Sequence, residues 1–245
     1  MRRLRPWPLV ALATLGLASA ARADDTQQEK TFEKEITTKV KMNYLLYLPD
    51  DYEKSDKAYP LMLFLHGAGE SGQGLERVKV HGPPKRIAGG KSFPFIVVSP
   101  QSPGGGWSPV VLNALLDEIE AKYRVDKSRV YLTGLSMGGG GTWTLAAAHP
   151  ERFAAIAPVC GAFRAPEGSK AAAERIKGIP VWVFHGAKDT TVPIARSEEM
   201  VKALKEAGAD VQFTVYPDAG HDSWTETYDN PKLYEWFLSH KKAAK

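Results

Sequence analysis

The sequence predicts a doubly wound α/β domain, a mostly parallel sheet with helices on both faces. Three observations carry this. Short apolar runs recur at residues 61–65 (LMLFL), 95–98 (FIVV), 130–132 (VYL), 155–159 (AIAPV) and 181–184 (VWVF). They lack polar–apolar alternation, as strands buried on both faces do. Between them lie segments whose apolar residues fall on one helical face, so strand and helix alternate along the chain. Of the 245 residues 43% are hydrophobic and 24% charged, a balance that builds a core and excludes general disorder. A single Cys excludes an intrachain disulfide and a Cys-based zinc site.

The elements follow in order. Residues 42–48 (MNYLLYL) read as a strand, in a hairpin with residues 32–39. The five apolar runs supply the central strands. Leu112, Leu115, Leu116, Ile119 and Tyr123 share one face of a helix. Residues 193–207 open on Pro193 and stop at Gly208, as a helix does. Residues 211–216 (VQFTVY) alternate, which suits a strand nearer the sheet edge. Leu233, Trp236, Phe237 and His240 define a last amphipathic helix.

The N-terminus is expected to be an export signal. Arg2, Arg3 and Arg5 precede an uncharged run at 9–18, and Ala21-Arg22-Ala23 places small residues at −3 and −1 of a cleavage site. Ala20 is a competing position. The run is short of the ~20 residues a spanning helix needs. The expected organisation is a signal at 1–23, a polar leader at 24–30 and a single domain at 31–245. Removal of 1–23 takes four Arg and no acid, leaving 28 basic against 28 acidic residues. No basic surplus remains to hold a phosphate backbone, so nucleic acid is excluded as an expected partner. The expected location is periplasmic or extracellular, with no membrane span after signal removal. In an oxidising compartment the lone Cys160 is expected to be buried.

Chemistry concentrates at Gly134-Leu135-Ser136-Met137-Gly138. This Gly-x-Ser-x-Gly follows a strand (RVYLT) and precedes a helix-like stretch (TWTLAAAH), the context in which a sharp turn lifts a serine above a sheet edge. Gly138 to Gly141 form an unbroken run, although each glycine in a helix costs ~1 kcal/mol relative to Ala. Stability alone does not call for such a run.

A serine hydroxyl needs a base, and the base an acid to hold it. His221 lies in YPDAGHDSW, directly after the strand VQFTVY, and is the expected base. His149 reads as a cap, His185 as a structural residue ending VWVF, and His240 lies near a Lys-rich end. Asp189, in the loop after VWVF, is the expected acid; Asp218, three residues before His221, is its main competitor. Two amides should face the oxyanion: that of Met137, after the nucleophile, and one from the loop His66-Gly67-Ala68-Gly69 after LMLFL, assigned to Ala68. His66 itself reads as a loop anchor.

Assembled, these residues resemble the α/β-hydrolase superfamily. More narrowly the chain is similar to secreted carboxylesterases of the predicted-peptidase type, near the polyhydroxybutyrate-depolymerase-like and dienelactone-hydrolase-like branches. The blocks YPLMLFLHGAGESG, VVSPQSP, RVYLTGLSMGGGGTW, PVWVFHGAKDTTVP and YPDAGHDSW carry the resemblance across nearly all of residues 40–240. It implies Ser136, Asp189 and His221 as a triad, Ala68 and Met137 at the oxyanion hole, and Trp107 and Trp224 near the substrate pocket. The expected function is an exported serine hydrolase cleaving small or polymer-attached carboxylic esters, with no metal or organic cofactor. Two rivals are a peptidase cutting short peptides with the same triad, and a non-enzymatic binding module on the scaffold. Residues 161–179 hold only a short helix at 169–177, too little chain for a large lid.

Overall fold

A computed structural model describes residues 30–34, 37, 39–72 and 74–242. The expected signal at 1–23 and residues 24–29 of the leader lie outside the described residues. The chain divides into Met1–Lys39 and Val40–Lys245. In the first unit the described residues form neither helix nor strand. The second carries every element that follows.

Among the described residues its sheet has seven strands: β1 (Tyr44–Tyr47), β2 (Tyr59–Leu65), β3 (Ile96–Pro100), β4 (Val125–Leu135), β5 (Ala155–Val159), β6 (Val181–Gly186) and β7 (Val211–Tyr216). The spatial order is β1-β3-β2-β4-β5-β6-β7. Only the β1–β3 pair is antiparallel; the other pairs are parallel. The five apolar runs are the five inner strands, and the alternating run is the edge strand β7. Residues 42–48 do supply a strand, and its partner is β3, with Tyr44 opposite Pro100; the described residues among 32–39, where a hairpin partner was expected, form no strand. A short apolar run cannot name its partner: β1 finds its hydrogen bonds, and cover for Tyr44 and Leu46, against a strand about fifty residues away.

Among the described residues seven helices flank the sheet: α1 (Gly82–Ala88), α2 (Pro109–Lys122), α3 (Met137–Ala148), α4 (Gly168–Ile176), α5 (Ala195–Glu206), α6 (Trp224–Asp229) and α7 (Pro231–Ser239). β2 shows why both faces need cover. Leu61, Leu63 and Leu65 join the core with α2, α3, α4 and α5, while Met62 and Phe64 join the opposite core with Tyr228, Leu233 and Phe237 of α6 and α7. Each such fully buried large side chain contributes about 1.5–3 kcal/mol of transfer free energy. The helix read at 193–207 begins two residues later, at Ala195; Pro193 accepts from Arg196 in the preceding turn. α1 and α6 fall in segments with no long apolar periodicity and are additions to the sequence reading.

α3 explains the glycine run. A Cβ on Gly138 would run into the Leu65 carbonyl, and one on Gly139 into the Val159 carbonyl. The helix start therefore lies backbone to backbone against the ends of β2 and β5. α4, the helix expected at 169–177, buries Ala172, Ala173 and Ile176 and packs on α5. It belongs to the core layer of the domain.

Candidate active site

The carboxyl ends of β2, β4, β6 and β7 converge. β4 ends at Leu135, and Ser136 turns the chain into α3 with φ 52° and ψ −115°. A non-glycine residue at positive φ costs about 1–3 kcal/mol and persists only where its surroundings fix it. Here the Ser136 amide donates to the Val159 carbonyl at 2.9 Å, and the Ser136 carbonyl accepts the Gly140 amide at 3.0 Å. Both ends of the serine are thereby pinned, and its Oγ stands 2.9 Å from His221 Nε2.

His221 and Asp189 come from neighbouring loops stitched together by backbone. The Ala187 amide donates to Tyr216 and the Lys188 amide to Ala219, each at 2.9 Å. Gly186 is required there, because any Cβ would meet the Gly220 carbonyl. The stitching brings Asp189 Oδ2 to 2.7 Å from His221 Nδ1. Asp189 Oδ1 accepts the amides of Thr191 and Val192, both at 2.9 Å. Burial alone would raise the Asp189 carboxyl. The hydrogen bonds from His221 and from the two amides outweigh it and hold the carboxyl below its ordinary range. A carboxylate facing Nδ1 places the proton there and leaves Nε2 to accept from Ser136. Asp218 faces elsewhere: its carboxylate pairs with Lys188 at 2.7 Å on the exposed surface.

Ala68 and Met137 each open a helical turn, the first three residues past the end of β2 and the second directly beyond Ser136. Their amides have no acceptor within those turns, and none elsewhere among the described residues. His66 anchors the loop that carries Ala68. Its Nδ1 lies 2.6 Å from the Gly67 carbonyl and its Nε2 accepts the Ser102 amide at 3.0 Å. Burial lowers its pKa, so the ring is neutral.

A cavity of about 590 Å³ opens at Ser136. Trp107, Met137, Ala162 and Val192 give it apolar walls; Thr144, Thr191 and Arg164 add polar ones. Trp107 is held by its indole N–H, which donates to the His66 carbonyl at 3.2 Å, and by its fit against Gly141. Trp224 does not line this cavity. It packs edge-on against the His221 ring, centroids 5.1 Å apart. The sequence reading missed Gly105, Gly106, Arg164, Thr191 and Val192 as cavity walls; the Gly run before Trp107 was the one local signal.

Among the described residues, Cys160, Asp189 and His221 bring potential metal-ligand atoms within 4.8 Å of one another. Asp189 and His221 are already bonded to each other there. Burial pushes the Cys160 thiol up to about 12, so it stays protonated at neutral pH. No helix among the described residues is long and apolar enough to cross a membrane.

This sheet order, with a strained serine at the end of a central strand, defines an α/β-hydrolase. The chain belongs to the dienelactone hydrolase family, whose profile matches residues 109–245. It is 25% identical to "Probable feruloyl esterase C" of Aspergillus terreus over 224 residues, 86% of this chain and 78% of that protein. It is 34% identical to a thermostable esterase of known crystal structure, with a TM-score of 0.71 over 84% of this chain. It spans 60% of that longer chain. A mutant feruloyl esterase module from Clostridium thermocellum, complexed with sinapinate, shares the fold at 20% identity and a TM-score of 0.61, covering 80% of this chain and 82% of the module. The protein is a hydrolase of the esterase type.

Proposed function

We propose that this protein is an exported serine esterase that works through an acyl-enzyme built on Ser136. The observation that carries the reading is the unbroken line of short contacts: Ser136 Oγ to His221 Nε2 at 2.9 Å, and His221 Nδ1 to Asp189 Oδ2 at 2.7 Å. Ser136 Oγ attacks the ester carbonyl and passes its proton to His221 Nε2. Asp189 keeps the other ring proton on Nδ1 and stabilises the imidazolium. The carbonyl oxygen, now negative, takes the amides of Ala68 and Met137. His221 returns the proton to the departing alcohol. Water then enters, gives its proton to Nε2 and releases the acid, restoring Ser136. Export rests on the basic, apolar and small-residue layout of residues 1–23.

The substrates are carboxylic esters with a compact or planar acyl group, ferulate esters among them. The esterases of similar sequence support this, as does a cavity of about 590 Å³ walled by Trp107. With α4 packed in the core layer, the site needs no lipid interface to open it. The test is kcat/KM for methyl ferulate and for p-nitrophenyl acetate, butyrate and palmitate, with a matched anilide, above and below micelle formation. The reading expects the ferulate, acetate and butyrate esters to be hydrolysed best and the anilide slowest. A jump in rate on micellar palmitate, or an anilide cleaved as fast as its ester, contradicts it.

A further inference from the structure

Asp189 Oδ2 faces two imidazoles, of which the reaction above uses one. The other is His185, at the end of β6 and fully buried. Its Nε2 lies 3.1 Å from Asp189 Oδ2 and 2.8 Å from the Val192 carbonyl. Its Nδ1 lies 2.7 Å from the hydroxyl of Ser197, also fully buried, in the first turn of α5. The chemistry of these neighbours fixes the ring. A carboxylate and a carbonyl only accept hydrogen bonds, so the proton sits on Nε2. With that proton in place, Nδ1 shares a hydrogen bond with the Ser197 hydroxyl.

The carboxylate of Asp189 is therefore gripped at both oxygens. Oδ1 takes two backbone amides, and Oδ2 takes His221 and lies 3.1 Å from His185 Nε2, whose hydrogen bond goes to the Val192 carbonyl. The two amides belong to the same short loop as Asp189 and move with it. His185 is different: it is rooted in the sheet and tied to α5 through Ser197. Among the groups around Oδ2 it refers the acid to the rigid part of the domain.

We propose that His185 is a positioning residue: its ring, held between Ser197 and the Val192 carbonyl, packs its Nε2 edge against Asp189 Oδ2 and so sets the direction of that oxygen and through it the aim of His221 at Ser136. The proposal rests on the reading of Ser136, His221 and Asp189 as a triad. The competing role is purely structural, the closing of the 186–192 turn by the bond to Val192.

The test compares His185→Leu, which removes the donor and keeps an apolar volume, with His185→Gln, which offers an amide N–H where Nε2 stood. Both are made in the wild type and in Asp189→Asn, with kcat and KM for p-nitrophenyl butyrate and Tm as readouts. His185→Leu is expected to lower kcat about 30-fold, the scale of one close polar contact to a buried charged group, with KM within about twofold. His185→Gln is expected to recover most of that loss. Because the effect travels through the carboxylate, His185→Leu should cost less than about twofold once Asp189 is Asn. Equal losses in both backgrounds, or a folded His185→Leu enzyme with wild-type kcat, overturn the proposal. Should His185→Leu fail to fold, Ser197→Ala carries the test, with kcat expected to fall about fivefold in the wild type only. Unchanged kcat there overturns the proposal. Wild-type turnover by Asp189→Asn alone sinks the triad reading and this proposal together. A crippled Asp189→Asn enzyme beside a fully active His185→Leu enzyme sinks the proposal alone.

Discussion

Asp189 and Asp218 stand at the ends of adjacent loops, and both lie within reach of His221 on sequence grounds. Asp218 is the closer in the chain, by far. Yet its side chain is 90% exposed and its contact is Lys188, a surface pair of small worth. Asp189 has no exposed side-chain surface, and its two oxygens meet two amides and two imidazoles. The difference teaches that an acid is made by what surrounds it. Strand β6 delivers Asp189 into a buried niche already lined with donors, and the niche keeps it ionised and aimed. Asp218 has the same chemistry and no niche.

The contrast can be broken most strongly at Asp189. Asp189→Asn should leave the fold intact and lower kcat by about 10⁴, since an amide cannot hold the His221 proton on Nδ1. Circular dichroism with ester kinetics checks both halves. A further large effect is expected where the backbone, and no side chain, does the work. Ala68→Pro removes an amide donor and should cost roughly 10²–10³ in kcat, while Ala68→Ser should be mild. A folded, fully active Ala68→Pro enzyme would place the second oxyanion donor elsewhere.

The niche also has a pH signature. Its hydrogen bonds hold the Asp189 carboxyl below the ordinary range, so the stability it contributes is complete above the unfolded value of about 3.9. That stability is lost as the pH falls through the lower folded value. Urea unfolding should therefore show the gap between wild type and Asp189→Asn shrinking as the pH drops below ~4. A gap that widens in acid would mean that the carboxyl is protonated in the folded state. The smallest effect is expected at the other aspartate: Asp218→Asn should keep kcat and KM within about twofold of wild type. A larger loss than that of Asp189→Asn would reverse the comparison.

Much of this was legible in the sequence, for identifiable reasons. The inner strands announced themselves because burial on both faces demands runs such as LMLFL. The serine did so because its turn tolerates only small neighbours, and Gly138 and Gly139 record how closely α3 meets β2 and β5. Asp189 and His221 could be singled out because each lies in the loop that leaves the end of a strand. What was not legible depends on contacts between segments distant in the chain. The partner of β1 is one case. The contact of Trp224 with the His221 ring is another. His185 is the clearest. From sequence it is a buried histidine like His66, and both look structural. His66 spends both ring nitrogens on backbone, whereas His185 bonds the Val192 carbonyl and Ser197 and in doing so lays Nε2 3.1 Å from Asp189.

The central claim is that Ser136, activated by His221, forms the covalent intermediate. Treatment with a fluorophosphonate, followed by intact-mass and peptide mass spectrometry, tests it most directly. The wild type should gain one phosphonyl group, on the peptide containing Ser136, and lose ester hydrolysis in step. Ser136→Ala should gain none and turn over no ester. An enzyme that hydrolyses p-nitrophenyl butyrate while Ser136 stays unlabelled, or that carries the label on another residue, would contradict the account.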